Sequence, residues 1–182
     1  NGKLYQWWRN KWFASTDTSQ QTTALTSNPN WADTYNFVWN SSLASPYDWI
    51  SPQNNTIWWW QTTDSATVDN VTDKALRQWA CPSGWHIPSV KEWKDACDII
   101  SWTSCTNNST TVTAIQTALK LSFAGYRNRS TGNYNSQSTD ASYWSSSPNS
   151  TNAYFLNFYA SYISPAYSSN RANGFSLRCL KN

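Results

Sequence analysis

Chemistry in this chain would have to come from very few side chains. There are four cysteines, Cys81, Cys97, Cys105 and Cys179, one histidine, His86, and one glutamate, Glu92. A metal site wants clustered ligands at short spacing, yet no CxxC pair occurs and His86 stands alone, so no metal is expected. Covalent catalysis needs a nucleophile beside a base. His86 lies within Trp85-His86-Ile87-Pro88, where a packed or turn role outweighs a catalytic one. Glu92 sits where a helix cap would use it, and Asp95 and Asp98 fall on one helix as solvated charges. No constellation for catalysis emerges, and the chain is read as a non-enzyme with no cofactor.

The cysteines are better read as bridges. Three pairings are open in principle. The short Cys97–Cys105 spacing favours a local loop, leaving Cys81–Cys179 as a long-range staple; four buried free thiols are the alternative. Disulfides point to an oxidising, extracellular setting.

The other chemistry is recognition. From Phe155 to Asn170 the chain reads FLNFYASYISPAYSSN, dense in Tyr, Ser and Asn. Tyrosine offers a rigid amphipathic contact and Ser and Asn offer adaptable hydrogen bonds, the palette of antibody paratopes. The candidate ligand-binding residues are Tyr143 and Asn152 at the edges, and Phe155, Asn157, Tyr159, Ser161, Tyr162, Ser164, Tyr167, Ser168 and Ser169 within. Packing of these aromatics beneath a loop is the competing reading.

Elements must hold that surface. Ser89 and Glu92 form an S-x-x-E capping box after Pro88, so a helix is expected over 90–100 with Trp93, Ala96 and Ile100 inward. A second is expected over 112–122, with Ile115, Leu119 and Phe123 as its apolar side. Asp73–Ala80 reads as one or two helical turns. Strands are expected at 124–127, 143–147 and 174–179. Tyr154, Leu156 and Phe158 alternate with Phe155, Asn157 and Tyr159, predicting an inward and an outward set. In Leu4–Phe13 the spacing of Leu4, Trp8 and Trp12 predicts a short helix. Residues 14–56 read as long loops pinned by Trp31, Trp39 and Trp49, and Ile57–Trp60 as a short strand or anchor.

Composition bounds the rest. Of 182 residues, 14 are Trp, 10 Tyr and 6 Phe, enough aromatic area for a core although only 13% are charged. The net charge of +3 is scattered, so no nucleic-acid footprint is seen. No apolar run is long enough for a transmembrane helix, and no signal peptide is visible. N-x-S/T sequons at Asn40, Asn54, Asn70, Asn107, Asn128 and Asn149 follow from the Asn/Ser/Thr bias.

Five motifs occur in order: CPSGWHIPSVKEW (81–93), AGYR (124–127), YWSSS (143–147), AYFLNF (153–158) and RANGFSLRCLK (171–181). Together, with LYQW near the start, they resemble the Fibrobacter succinogenes major paralogous domain, of the formylglycine-generating-enzyme type. The resemblance covers about 72–181 well and the first 70 residues loosely. It implies an α+β C-type lectin-like fold with short antiparallel strands, two main helices and long loops. One domain would span 1–182, with a Trp-rich part and inserts over 1–71 and a core over 72–182. It also implies that Cys81 and Cys179 form a structural bridge, and that Trp144, Arg171, Gly174 and Arg178 are framework; Arg127 is left between framework and surface.

The same group includes the variable proteins of diversity-generating retroelements, in which mutated Asn codons rewrite a C-terminal block. Such codons never yield Lys, Glu, Gln, Met or Trp. None of the five occurs from Ser145 to Asn170. At their chain-wide frequency, roughly four would fall in a window of that length. The resemblance thus implies a hypervariable ligand-binding region over about 143–170, on a cell or virion surface. Its partner would be a protein or glycan, with neither nucleic acid nor membrane insertion. A fixed carbohydrate- or protein-binding module is the alternative, with Trp58–Trp60 or Trp7 and Trp8 stacking on sugars. The EPN and WND motifs of calcium-dependent lectins are missing.

Overall fold

The computed structural model describes residues 3–9, 12–14, 21–22, 37–39, 49, 67–69, 72–102 and 104–182. Trp31 and the Ile57–Trp60 run lie outside them. The architecture is α+β. Strands β1 (Lys3–Gln6), β2 (Phe13–Ala14), β3 (Gln21–Thr22) and β4 (Phe37–Val38) come first. A 3₁₀ turn (Lys74–Arg77), β5 (Trp85–His86), α1 (Val90–Ser101) and α2 (Ser109–Leu119) follow. The last third holds β6 (Tyr126–Arg127), β7 (Tyr134–Asn135), β8 (Asp140–Asn149), β9 (Asn152–Tyr159), β10 (Tyr162–Asn170), β11 (Gly174–Phe175) and β12 (Leu180–Lys181).

Helix α1 begins where its cap demands. Ser89 Oγ accepts from the Glu92 N–H at 3.0 Å, and Glu92 Oε2 accepts from the Ser89 N–H at 2.9 Å. Two orphan donors of the first turn are thereby satisfied reciprocally. The helix ends at Trp102, which turns left-handed at φ 57°. Its buried side is Val90, Trp93 and Cys97, so Cys97 takes the inward place expected of Ala96. Helix α2 starts three residues earlier than expected because Asn108 Oδ1 caps the Thr111 N–H at 2.8 Å. Lys91 pairs with Asp95, and Lys94 with Asp98, along the outer face of α1. Lys94 holds the Asp98 carboxyl below its ordinary range against partial desolvation, with the Cys105 N–H assisting.

Strands β10, β9 and β8 form one antiparallel sheet in that order. A second sheet runs β2-β1-β11-β6-β7, and β12 pairs with β5. The β3–β4 pair is parallel, unlike the antiparallel strands expected throughout. Strand β8 is unbroken from Asp140 to Asn149, longer than the five residues expected, and the closing 174–179 segment splits into β11 and β12.

The expected helix over Leu4–Phe13 is corrected. Leu4, Trp7 and Arg9 are buried inside β1 and the turn after it, while Trp12 is exposed. Tertiary pairing overrides the helical spacing: β1 joins β11, with Tyr5 opposite Phe175. Gln6 locks the junction, donating to Val38 O and Ala172 O, both at 2.7 Å, and accepting from the Val38 N–H.

Both expected bridges form, Cys81–Cys179 across 98 residues and Cys97–Cys105 across eight. Two disulfides fit an oxidising compartment. No helix of the described residues is long and apolar enough to cross a membrane.

The β8–β10 sheet is covered by the helices on one face and, around Trp144 and Phe155, by a second cluster on the other. Against the helices pack Ala141, Tyr143, Leu156, Phe158 and Ile163, meeting Trp93, Cys97, Val112 and Ile115. Against β1 and β11 pack Trp144 and Phe155, meeting Trp7, Trp49 and Phe175. Framework roles follow for two of the expected residues. Trp144 is wholly buried, and its Nε1 donates to Tyr5 O at 2.8 Å. Arg171 donates to Asn152 O and Ser150 O, with its guanidinium over the Trp7 ring. Arg127, also buried, donates to Gly132 O and lies over Phe37.

Candidate ligand-binding surface

The strand register decides which of the candidate residues can act together. Opposed residues of an antiparallel pair point to the same face. Asn157 stands between Ser142 and Ser164; Phe155 stands between Trp144 and Tyr167; Tyr159 stands between Asp140 and Tyr162. Ser169 faces Ala153, on that same side. Seven candidates therefore share one face: Phe155, Asn157, Tyr159, Tyr162, Ser164, Tyr167 and Ser169.

Simple alternation would not do this. Ser164 and Tyr167 are three apart, which puts them on opposite sides of a regular strand. The β9–β10 register shifts between them, so Pro165 and Ala166 span one step of β9. The extra residue reverses the parity of β10 and returns Tyr167 and Ser169 to the face of Tyr162 and Ser164.

Beside this face opens a cavity of about 400 Å³, within the range of small-ligand pockets. Ser142, Phe155, Asn157, Tyr167 and Ser169 line its sheet side. Tyr126, Asn128, Arg129, Ser130 and Asn173 line the opposite wall, with Asp140, Asn170 and Phe175 completing it. Apart from Asn173, that wall is the β6–β7 hairpin. Asn128 N–H donates to Asn133 O, and Asn128 Oδ1 accepts from the Ser130 N–H, both at 2.8 Å. Gly132 at φ 68° closes the turn, a conformation that favours glycine.

Hydrogen bonds tie the two walls. The Arg129 N–H donates to Asn173 Oδ1 at 3.0 Å, and Arg129 Nε donates to Asn170 Oδ1 at 2.9 Å. Asn173 Nδ2 donates to Ser169 Oγ at 2.8 Å, and Asn170 Nδ2 to Asn152 Oδ1 at 3.0 Å. Asn157 Nδ2 donates to Ala141 O at 3.2 Å.

Several candidates are placed differently from expectation. Tyr143 lies on the helix face, 5% exposed, stacked with Phe158; its hydroxyl accepts from the Ser122 N–H and donates to Ser122 O. It is part of the core, opposite Leu156 and in the cluster with Trp93, Phe158 and Ile163. Phe155 is on the expected side of β9, yet it is 4% exposed, covered by Trp144 and Phe175, and forms the cavity floor. Tyr154, expected inward, is half-buried. Ser168 faces Tyr154 and so points away from the cavity. Asn152 acts through Asn170 at the far end of the hairpin. Ser161 is exposed in the β9–β10 turn, where Tyr159 and Tyr162 stack at 4.9 Å. Tyr159 at 42% and Tyr167 at 50% are the exposed aromatic surface of the face.

The hairpin wall was missed. Its signal was present: Asn128-Arg129-Ser130-Thr131-Gly132-Asn133 is a run of turn formers directly after the AGYR motif. Composition marks such a run as a loop but says nothing about what the loop faces.

The only histidine is enclosed. His86 Nε2 lies 3.0 Å from Glu92 Oε1, and Nδ1 lies 2.7 Å from Asn182 Oδ1. Burial raises the Glu92 pKa, but the Ser89 N–H, His86 and Arg77 outweigh it and hold the carboxyl below its ordinary range. Trp7 is wholly buried and Trp8 stacks on Trp79, so neither offers a free ring face pair to a sugar. Among the described residues no group of three or more His, Cys, Asp or Glu is arranged to hold a metal. No protein-family model, curated protein or solved structure matches the chain.

Proposed function

We propose that this chain is a ligand-binding protein of receptor or adhesion type, and not an enzyme. In this reading it is a single C-type lectin-like domain over 1–182, displayed on a cell or virion surface. Its cavity face is a hypervariable surface, rewritten by a diversity-generating retroelement. One observation carries the reading: seven residues chosen for their chemistry, from two strands with a parity break between them, share one face beside an open cavity. That face is Tyr/Ser/Asn-rich and presents Tyr159 and Tyr167 to solvent. Paired exposed aromatics with short polar neighbours make contacts at low entropic cost.

In this reading the positions that vary are the outward ones. Asn157, Tyr159, Ser161, Tyr162, Ser164, Tyr167 and Ser169 reach solvent or the cavity. Phe155 and Tyr143 are core, and their replacement by polar residues would cost the fold. Sister copies of the gene test this directly. Differences should concentrate at those seven positions, with residues 143, 155, 156 and 158 staying apolar or aromatic. The flanking DNA should hold a near-repeat rich in AAC and AAT beside a reverse transcriptase gene. Copies that differ mainly on the helix face, or flanking DNA with no such repeat, would sink the hypervariability claim and leave a fixed binding module.

A further inference from the structure

Strand β10 is the outer strand of its sheet, with β9 on one side only. Which of its backbone groups face outward follows from β8. The Trp144 N–H donates to Ser176 O, and Ser142 O accepts from the Ser176 N–H, both at 3.0 Å, so both residues turn their backbone away from β9. Opposed residues of an antiparallel pair alternate between bonded and unbonded. Phe155 and Asn157, opposite Trp144 and Ser142, therefore bond toward β10, to Tyr167 and Ser164. Their neighbours on β10, Ser168 and Ile163, face away from β9.

The two outward residues are treated differently. Asn107 Oδ1 accepts from the Ile163 N–H at 2.9 Å, and Pro165 beyond it has no N–H to offer. That half is guarded in the way edge strands commonly are. From Ala166 to Asn170 neither a charge nor a proline stands on the strand. Among the described residues the Ser168 N–H and C=O have no hydrogen-bond partner. At the far end Asn170 O accepts from the Asn173 N–H at 3.1 Å. The side chain of Ser168 points away from the cavity, but its backbone faces out along the rim of the cavity face.

Resting on the binding-surface reading above, we propose that the β10 edge from Ala166 to Asn170 takes an extended segment of a partner protein as a fourth strand. An outward N–H and C=O pair is the template for strand addition. Alternate side chains of the added strand fall beside Tyr167 and Ser169, on the cavity face. Main-chain bonds do not depend on which side chains β10 carries, so they stay constant while residues 167 and 169 set preference. A second copy of the chain is a poorer occupant, because this window is far shorter than the roughly 20–30 residues a side of a standard interface.

The test is affinity selection by the purified, disulfide-bonded chain from a random heptapeptide library, followed by titration of the enriched peptides. Each is then made in two forms, N-methylated at odd or at even backbone positions. Only alternate N–H groups of an added strand face β10, so one form should lose about tenfold or more and the other should bind as the parent does. Ser168→Pro should cause a similar loss, because this N–H donates nothing to β9, and Ser168→Ala should change little. A retained thermal transition confirms that Ser168→Pro is folded; if it is not, the N-methylated pair decides. No enrichment, or equal binding by both N-methylated forms, overturns the proposal. A concentration-dependent dimer of the peptide-free chain that Ser168→Pro abolishes gives the edge to a second copy and overturns it too. Tyr167→Ala separates the two readings. If it weakens the peptides while the two N-methylated forms bind alike, only the edge assignment fails. If enriched peptides bind Tyr167→Ala unchanged, the binding-surface reading fails.

Discussion

The two faces of the β8–β10 sheet are built from the same three strands but spend their side chains differently. On the helix face Tyr143, Leu156, Phe158 and Ile163 are all buried, and the Tyr143 hydroxyl is satisfied by Ser122. On the cavity face Ser142, Trp144, Ala153 and Phe155 are buried, while Asn157, Tyr159, Tyr162, Ser164, Tyr167 and Ser169 are half-buried or exposed. Close packing makes the first face intolerant of change in volume. The second rests on the buried rings of Trp144 and Phe155 and faces the β6–β7 hairpin, with its outer side chains partly or fully in solvent.

The largest expected effect breaks the helix face. Phe158 is wholly buried against Phe123 and Tyr143. Phe158→Ala should cost about 3–5 kcal/mol, because a large cavity opens where the surroundings cannot collapse. Denaturant unfolding with the disulfides intact measures it. A loss no larger than that of a surface substitution would dissolve the distinction between the faces.

A smaller effect titrates the support of that face. The folded pKa of Glu92 is depressed, so its contribution to stability is complete above the unfolded value of about 4.3. It is lost as pH falls through the folded value. Stability should therefore decline on acidification below about pH 5, and Glu92→Gln should flatten that decline. A series of unfolding curves between pH 7 and pH 3 checks it; identical slopes for both proteins would remove Glu92 from the account.

The smallest effect on stability belongs to the cavity face. Tyr167→Ala should change unfolding free energy by about 0.5 kcal/mol or less, since half of the side chain is already in solvent. Its effect on captured ligand should be far larger, about 2 kcal/mol, as for an interfacial tyrosine anchor. Calorimetry on both quantities separates the roles. A large stability loss with unchanged ligand capture would make Tyr167 a packing residue.

Much of the frame was legible because its signals are local. The capping box at Ser89 and Glu92 set the start of α1 to the residue. The alternation from Tyr154 to Tyr159 separated the two faces of β9, although Phe155 of the outward set is buried and Tyr154 of the inward set is only half-buried. The two cysteine pairs formed as their spacing favoured. The Leu4–Phe13 segment failed for the complementary reason: three residues at helical spacing are weak evidence, and β1 gains its stability from β11, some 170 residues away.

What the chain decided alone is what a few neighbouring residues can decide: a cap, a period of two, a turn-former run, and an alphabet of Tyr, Ser and Asn suited to contact. Only the tertiary structure decided which side of the sheet meets solvent, because both sides of β9 carry apolar residues. It decided that Tyr143 is core, since burial depends on what packs from elsewhere. It also supplied the shift after Ser164 that returns Tyr167 to the cavity face, because register belongs to a pair of strands and not to either one. The hairpin wall with Arg129 completes the cavity for the same reason: the residues that face each other across it come from segments about 40 positions apart.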